Sequence, residues 1–424
     1  MDQAINRTRK GKTLDGSVAC LFDPAVRGRS RGAFSGAPTD FGERGKPGHD
    51  SRSGADSGEF TWWNMTDNRN AGENAARSAR LAATQFANEV AWKRPHLDIL
   101  RQEYKGQYSI LVETVQEKIL MSHRQGRLIL PNLAAYGNRV VGVFSDYGGE
   151  HKGSRYLTYS VLVCTFDIRD WLAATIWKIR KQYQLESKEI AYKDFRMGQI
   201  LRALPDYLLT LDNYLPGFLL TLAVQKKAME ALSPTSKDSR NLLEAALQSI
   251  GVEGRKPQVN EKLARIVELV AFLTALLGRD GQKVFWMTDH DEISPTNGKH
   301  EETLRAFQVL LDVFCRDDQA FSLVGGALPF EQRDLGMLDL LSATDICAGA
   351  IAEYLTQRDI QDPDKIVVKP GSEHVLQWLA HDGVGLKKMT IVIRKGDNAS
   401  IESAAIEFVP KNPPKNVTIV PISM

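Results

Sequence analysis

The stretch Arg139-Val-Val-Gly-Val-Phe-Ser-Asp146-Tyr-Gly-Gly-Glu150 decides how the rest of the chain is read. Its β-branched and aromatic residues, Val140, Val141, Val143 and Phe144, form the near-continuous apolar run of a strand covered on both faces. Asp146 falls where that strand runs out, and Gly148 and Gly149 supply a turn. A second apolar run, Tyr156 to Phe166, follows a short polar connection, so the two are predicted to form a hairpin. A carboxylate at the end of a central strand either holds a metal ion or caps the next turn. This stretch alone leaves both readings open.

Working outward, a helix is expected from Trp171 to Tyr183, then the segment Glu189-Ile-Ala-Tyr-Lys193-Asp194. A helical stretch and a strand, Gly217 to Val224, come next. A long helix from Glu261 to Leu277 closes at Gly278 and leads to the strand Lys283-Val-Phe-Trp-Met-Thr-Asp289. A helix at Glu301 to Phe314, a short strand at Ala320 to Val324 and a last helix at Leu338 to Leu355 complete the core. Three early strands followed by alternating strands and helices predict an α/β fold, a mixed sheet flanked by helices.

With 424 residues and a formal net charge of +2, the chain has room for a sizeable core and no overall charge that demands nucleic acid, membrane or acidic partners. Four scattered cysteines without a C-x-x-C pair suit a reducing cytoplasm. The polar, basic start does not read as a signal peptide, and no apolar run is read as membrane-spanning. Residues 1–70 are rich in Gly, Arg, Ser and Asp and are expected to be a disordered tail. Its one G-x-S-x-G match, Gly28 to Gly32, lacks the flanking strand and helix of a nucleophile elbow and is set aside. Residues 71–137 read as a helical segment, including Tyr108 to Met121, that packs on the core or on a second copy of the chain. Residues 138–358 form the core domain. Residues 359–424 read as a β-rich extension, with runs at Met389 to Arg394 and Ile401 to Val409 about a Gly396-Asp397-Asn398 turn. Lys387, Lys388, Arg394 and Lys395 there read as protection of an edge strand, or as a phosphate-contacting patch.

Asp146 and Asp289 each end a strongly apolar strand. Strand alternation puts Phe285, Met287 and Asp289 on one face, with Asp291 joining them if the strand continues. On the last helix, Leu338, Leu341, Asp345, Gly349 and Ala352 share a face of small and apolar residues that can press close to a sheet, with Asp339 well off it. A carboxylate buried there needs a partner or a metal, unless Asp345 instead caps a helix beginning at Ile346. Acids at strand ends and on a closing helix are what a two-metal phosphoryl-transfer site requires, and oxygen ligands suit Mg²⁺ or Mn²⁺. Glu189 would complete the set.

The order of these motifs resembles the bacterial domain-of-unknown-function 3800 family, whose fold is ribonuclease-H-like. The family's opening strand with an Asp-Glu-Ser-Gly motif and its long second strand are matched by Val143-Phe-Ser-Asp146-Tyr-Gly148-Gly and Leu157-Thr-Tyr-Ser-Val-Leu-Val163. Glu189-Ile190 matches the acid after the first helix, and Asp289 the later strand end. Leu340-Leu-Ser-Ala-Thr-Asp345-Ile-Cys-Ala-Gly-Ala350-Ile matches the closing helix, the most specific of the four segments. The chain departs from the family at Tyr147, which stands for Glu, and at Gly148, which stands for Ser, with Glu150 the nearest compensating acid. The resemblance implies a metal-dependent, nuclease-like site of Asp146, Glu189, Asp289 and Asp345 acting on nucleic acid. Lys193, or His290 if the strand end twists, would contact the scissile phosphate or leaving group. The alternative is a non-catalytic nucleic-acid- or protein-binding module on the same fold. No phosphate-binding Gly-Lys loop, H-E-x-x-H or cysteine zinc pattern points elsewhere.

Overall fold

A computed structural model describes residues 109–134, 137–233, 236–329, 334–361, 365–396 and 400–409. The expected tail, the alanine-rich part of the N-terminal helical segment and the residues that would close the C-terminal hairpin lie outside these.

One seven-stranded mixed sheet organises the chain, in the order β5-β4-β1-β2-β3-β6-β7. Strands β1 (Val140–Gly148), β2 (Tyr156–Thr165) and β3 (Gly217–Gln225) form an antiparallel meander. β4 (Lys283–Thr288) runs parallel to β1, and β5 (Leu323–Ala327) parallel to β4. On the other side β6 (Leu386–Lys395) runs parallel to β3 and forms the expected hairpin with β7 (Ile401–Ile406). The C-terminal strands thus continue the core sheet.

Helices cover both faces. One face carries α1 (Ile110–Arg124), α4 (Lys226–Leu232), α5 (Lys237–Ser249), α6 (Pro257–Leu277) and α7 (Asn297–Phe314). The other carries α2 (Arg169–Tyr183), α3 (Gly198–Tyr214), α8 (Leu335–Arg358) and α9 (Pro370–Leu379). Strand alternation sorts side chains between the two cores. Val141, Val143, Val284 and Trp286 enter the α6 side, while Phe144 and Met287 enter the α8 side. Gly149, at φ 83°, makes the β1–β2 turn, and a Cβ there would lie 1.9 Å from the Tyr156 carbonyl oxygen. Gly148 is still in the strand.

Several expectations change. β5 lies three residues later than its apolar run suggested because Gly325 and Gly326 are strand residues; a Cβ on Gly326 would sit 2.4 Å from the Trp286 carbonyl oxygen. The segment after Asp359 begins with α9, started by Pro370 in the first turn, before turning to strands. α8 is long and apolar enough to cross a membrane, with a mean hydropathy of 1.5, but 78% of that window is buried within the fold, as in a core helix. β7 lies outside β6 along Thr390–Lys395, so Arg394 and Lys395 guard no free edge there. Lys388 is buried on Asp212 at 2.5 Å, and the Lys387 ammonium donates to the Gly383 carbonyl.

Candidate acidic site

The site gathers at the carboxyl end of β1. Asp146 is buried and points to the α8 side of the sheet, because its neighbours Ser145 and Tyr147 point to the other. Ser145 accepts from the Trp286 indole at 2.9 Å, and the Tyr147 hydroxyl shares hydrogen bonds with Ser145 and Thr288. Position 147 therefore faces away from Asp146, and the tyrosine there removes no carboxylate from the Asp146 side.

Asp289 follows the last residue of β4. Its N–H donates to the Ser145 carbonyl at 3.0 Å, so it stays in register with β1 although the strand has ended. Asp345 lies mid-helix in α8, whose N-cap is Asp334, eleven residues earlier in the chain; the capping alternative for Asp345 does not hold. Its Oδ2 instead accepts from the Tyr192 N–H at 2.7 Å. Tyr192 opens a short 3₁₀ turn, Tyr192–Asp194, and Gly349 leaves room for its ring, since a Cβ there would meet the ring at 2.2 Å. That contact brings the segment containing Glu189 onto the helix.

Arg180 holds the same segment from beneath. Fully buried, it donates to the Leu185 carbonyl at 3.0 Å, to the Lys188 carbonyl and to the Asp339 carboxylate. α2, the Glu189 loop and α8 are thereby joined through one guanidinium.

The four predicted acids behave as one electrostatic group. Burial, then the carboxylates of Asp345 and Asp289, push the Asp146 carboxyl well above the ordinary range. Burial pushes Asp345 up to about 7, opposed by the Tyr192 N–H and Lys193 and reinforced by Asp289 and Glu189. Burial also raises Asp289 and Glu189; Lys193 opposes it at both, and Asp289 adds to it at Glu189. Asp146, Glu189 and Asp345 thus each feel at least one other of the four, while the carboxylate that raises Asp289 is Asp291. Lys193 is exposed and acts on three of them. His290 is also exposed, its Nε2 3.2 Å from the Pro295 carbonyl oxygen.

Asp291 does not join this face. It turns to the α6 side and pairs with the Lys262 ammonium at 2.7 Å, and Glu150 pairs with the same ammonium; Asp291 still adds to the upward push on Asp146 and Asp289. Lys262, Arg180 and Asp339 were missed in the sequence. Arg180 falls at the buried phase of α2 beside Ile176 and Ile179, and Asp339 is a second acid in an apolar helix; both are signals of a buried pair.

An all-oxygen set of mutually repelling carboxylates fits a hard divalent cation in kind and in charge. Among the described residues, however, no three His, Cys, Asp or Glu side chains converge as a ready-made ligand group. The acids share a field without sharing a coordination point. Compared with known proteins, the chain matches no family model and no curated sequence.

Proposed function

We propose that this chain is a divalent-metal-dependent nuclease or related phosphodiester hydrolase on a ribonuclease-H-like fold. The carrying observation is that four acids from four separate segments, Asp146, Glu189, Asp289 and Asp345, gather at one end of the sheet, where Asp289 is close enough to raise the pKa of the other three. The three-strand meander followed by parallel strands and a closing helix supports the fold.

Asp146, Asp289 and Asp345 would hold Mg²⁺ or Mn²⁺, with Glu189 holding an ion directly or through water. When bound, such ions polarise a phosphoryl oxygen and lower the pKa of a coordinated water. The protein's own part is positioning. Tyr192 fixes one oxygen of Asp345, Arg180 fixes the backbone leading to Glu189, and Lys262 fixes the loop after Asp289. Lys193 brings a cation beside the carboxylates, placed to meet a phosphate oxygen.

Cleavage assays on single- and double-stranded DNA and RNA test the reading, with Mg²⁺, Mn²⁺ or chelator. Metal-dependent cleavage by wild type, lost in Asp146→Asn and Asp345→Asn, is expected; equal activity in all three proteins overturns it. The absence of a three-ligand group among the described residues favours a second reading, a binding module without chemistry. On that reading neither metal stabilises the fold.

A further inference from the structure

The outward face of α2 carries two tryptophans that the core does not use. Trp171 is 51% exposed and Trp177 38%, in a helix whose inner face buries Leu172, Ile176, Ile179 and Arg180. At 100° per residue the two indoles flank the outward face, with Lys178 and Lys181 between them, both exposed. The Lys181 ammonium lies 5.7 Å from the Trp177 ring centroid, and Trp171 rests edge-on against Tyr214 at 5.0 Å. The helix ends at Gln184, and the chain runs through the Arg180-held loop into Glu189, after which Lys193 and Arg196 are again exposed.

Indoles interleaved with ammonium groups match the two surfaces of an unpaired nucleic-acid strand. Flat bases stack on the rings, and phosphates sit by the lysines. A duplex hides its base faces and gains nothing from the indoles. A protein partner would also bury tryptophan, but it has no general need for the lysines between the rings or the cations that continue toward the acids. We infer that the outward face of α2 is a docking track for single-stranded nucleic acid leading toward the acidic site. This rests on the proposed function and adds the substrate class.

The test is fluorescence anisotropy of labelled oligo(dT) and oligo(rU) with the full chain in EDTA, which separates docking from cleavage. Trp177→Ala is expected to weaken binding about tenfold, as loss of one stacked base does. Lys178→Ala with Lys181→Ala should lower the slope of log affinity against log salt by about 1.4. The dT and rU arms show which sugar is preferred. The same variants should keep wild-type hydrolysis of bis(p-nitrophenyl) phosphate with Mn²⁺, while Asp345→Asn should bind oligonucleotide normally and lose hydrolysis. If hydrolysis fails in wild type but the track variants lose binding, the track stands and the proposed activity falls. Unchanged oligonucleotide affinity in both track variants overturns the inference. So does duplex binding as tight as single-strand binding, or a wild-type dimer that these substitutions dissociate, which would make α2 a self-association face.

Discussion

A carboxyl group pushed up to about 7, as Asp345 is, exchanges a proton for a cation near neutral pH. The sign of its effect follows from the direction of the shift. Its folded pKa lies above the unfolded value of 3.8, so its contribution to stability is full below about pH 4 and lost as pH rises through about 7. A bound divalent cation offsets that loss only where the acids are ionised. The rise in Tm on adding Mn²⁺ should therefore be larger at pH 8 than at pH 5.5, and small at both in Asp345→Asn. A differential scanning calorimetry series at the two pH values checks this, and an equal Mn²⁺ effect at both would count against the acids as the binding groups. Asp345 was legible as a residue because an acid in a small, apolar helical face has few structural reasons to be there. Its partner, the Tyr192 backbone, was not, because a backbone N–H leaves no mark in sequence.

Elements are tied to one another here by buried polar groups, and their energies can be read separately. Arg180 and Asp339 join α2 to α8 with both side chains almost fully buried. Replacing Arg180 with Met strands a carboxylate and two carbonyls and is expected to cost about 3–5 kcal/mol in urea unfolding. Adding Asp339→Leu should recover much of that cost, which separates an isolated buried charge from lost packing. On the opposite face, Glu268 of α6 accepts from the Ser109 N–H at 3.1 Å and from its hydroxyl at 2.6 Å, fastening the start of α1. Burial pushes Glu268 up to about 7 from an ordinary 4.5. Its contribution is thus present below about pH 4.5 and lost through pH 7, a change of roughly 3 kcal/mol for a group this deeply buried. Glu268→Gln should flatten that part of the stability–pH curve and exceed wild type in stability at pH 8. Unfolding titrations across pH 4 to 8 measure both. The regular elements were readable from apolar periodicity, as in β1, β2 and α6. The exceptions have local causes: β5 contains a glycine, Gly326, at a close approach to β4, and α9 is a short helix inside a segment whose composition favours strands.

At the scale of the whole molecule, one sheet places the candidate acids and their support on opposite faces of the same strand ends. Asp146 looks toward α8 and the other acids. Tyr147, one residue on, looks toward α6, where Lys262 collects Glu150 and Asp291. This division could be foreseen for β1 and β4 from strand alternation, which assigns faces without a structure. It could not be foreseen for Asp291, because alternation ends with the strand at Thr288 and a buried lysine then decides the direction. The joining of β6 to β3 was likewise hidden, since parallel pairing between segments so distant in sequence has no local signature. Asp146, Glu189, Asp289 and Asp345 are proposed to form one cation-binding group. The most direct test of that proposal is calorimetric titration of Mn²⁺ into wild type, Asp146→Asn and Asp345→Asn at pH 8. Saturable binding by wild type that weakens at least tenfold in each variant is the expected result. No binding by wild type, or binding that neither variant alters, would contradict it.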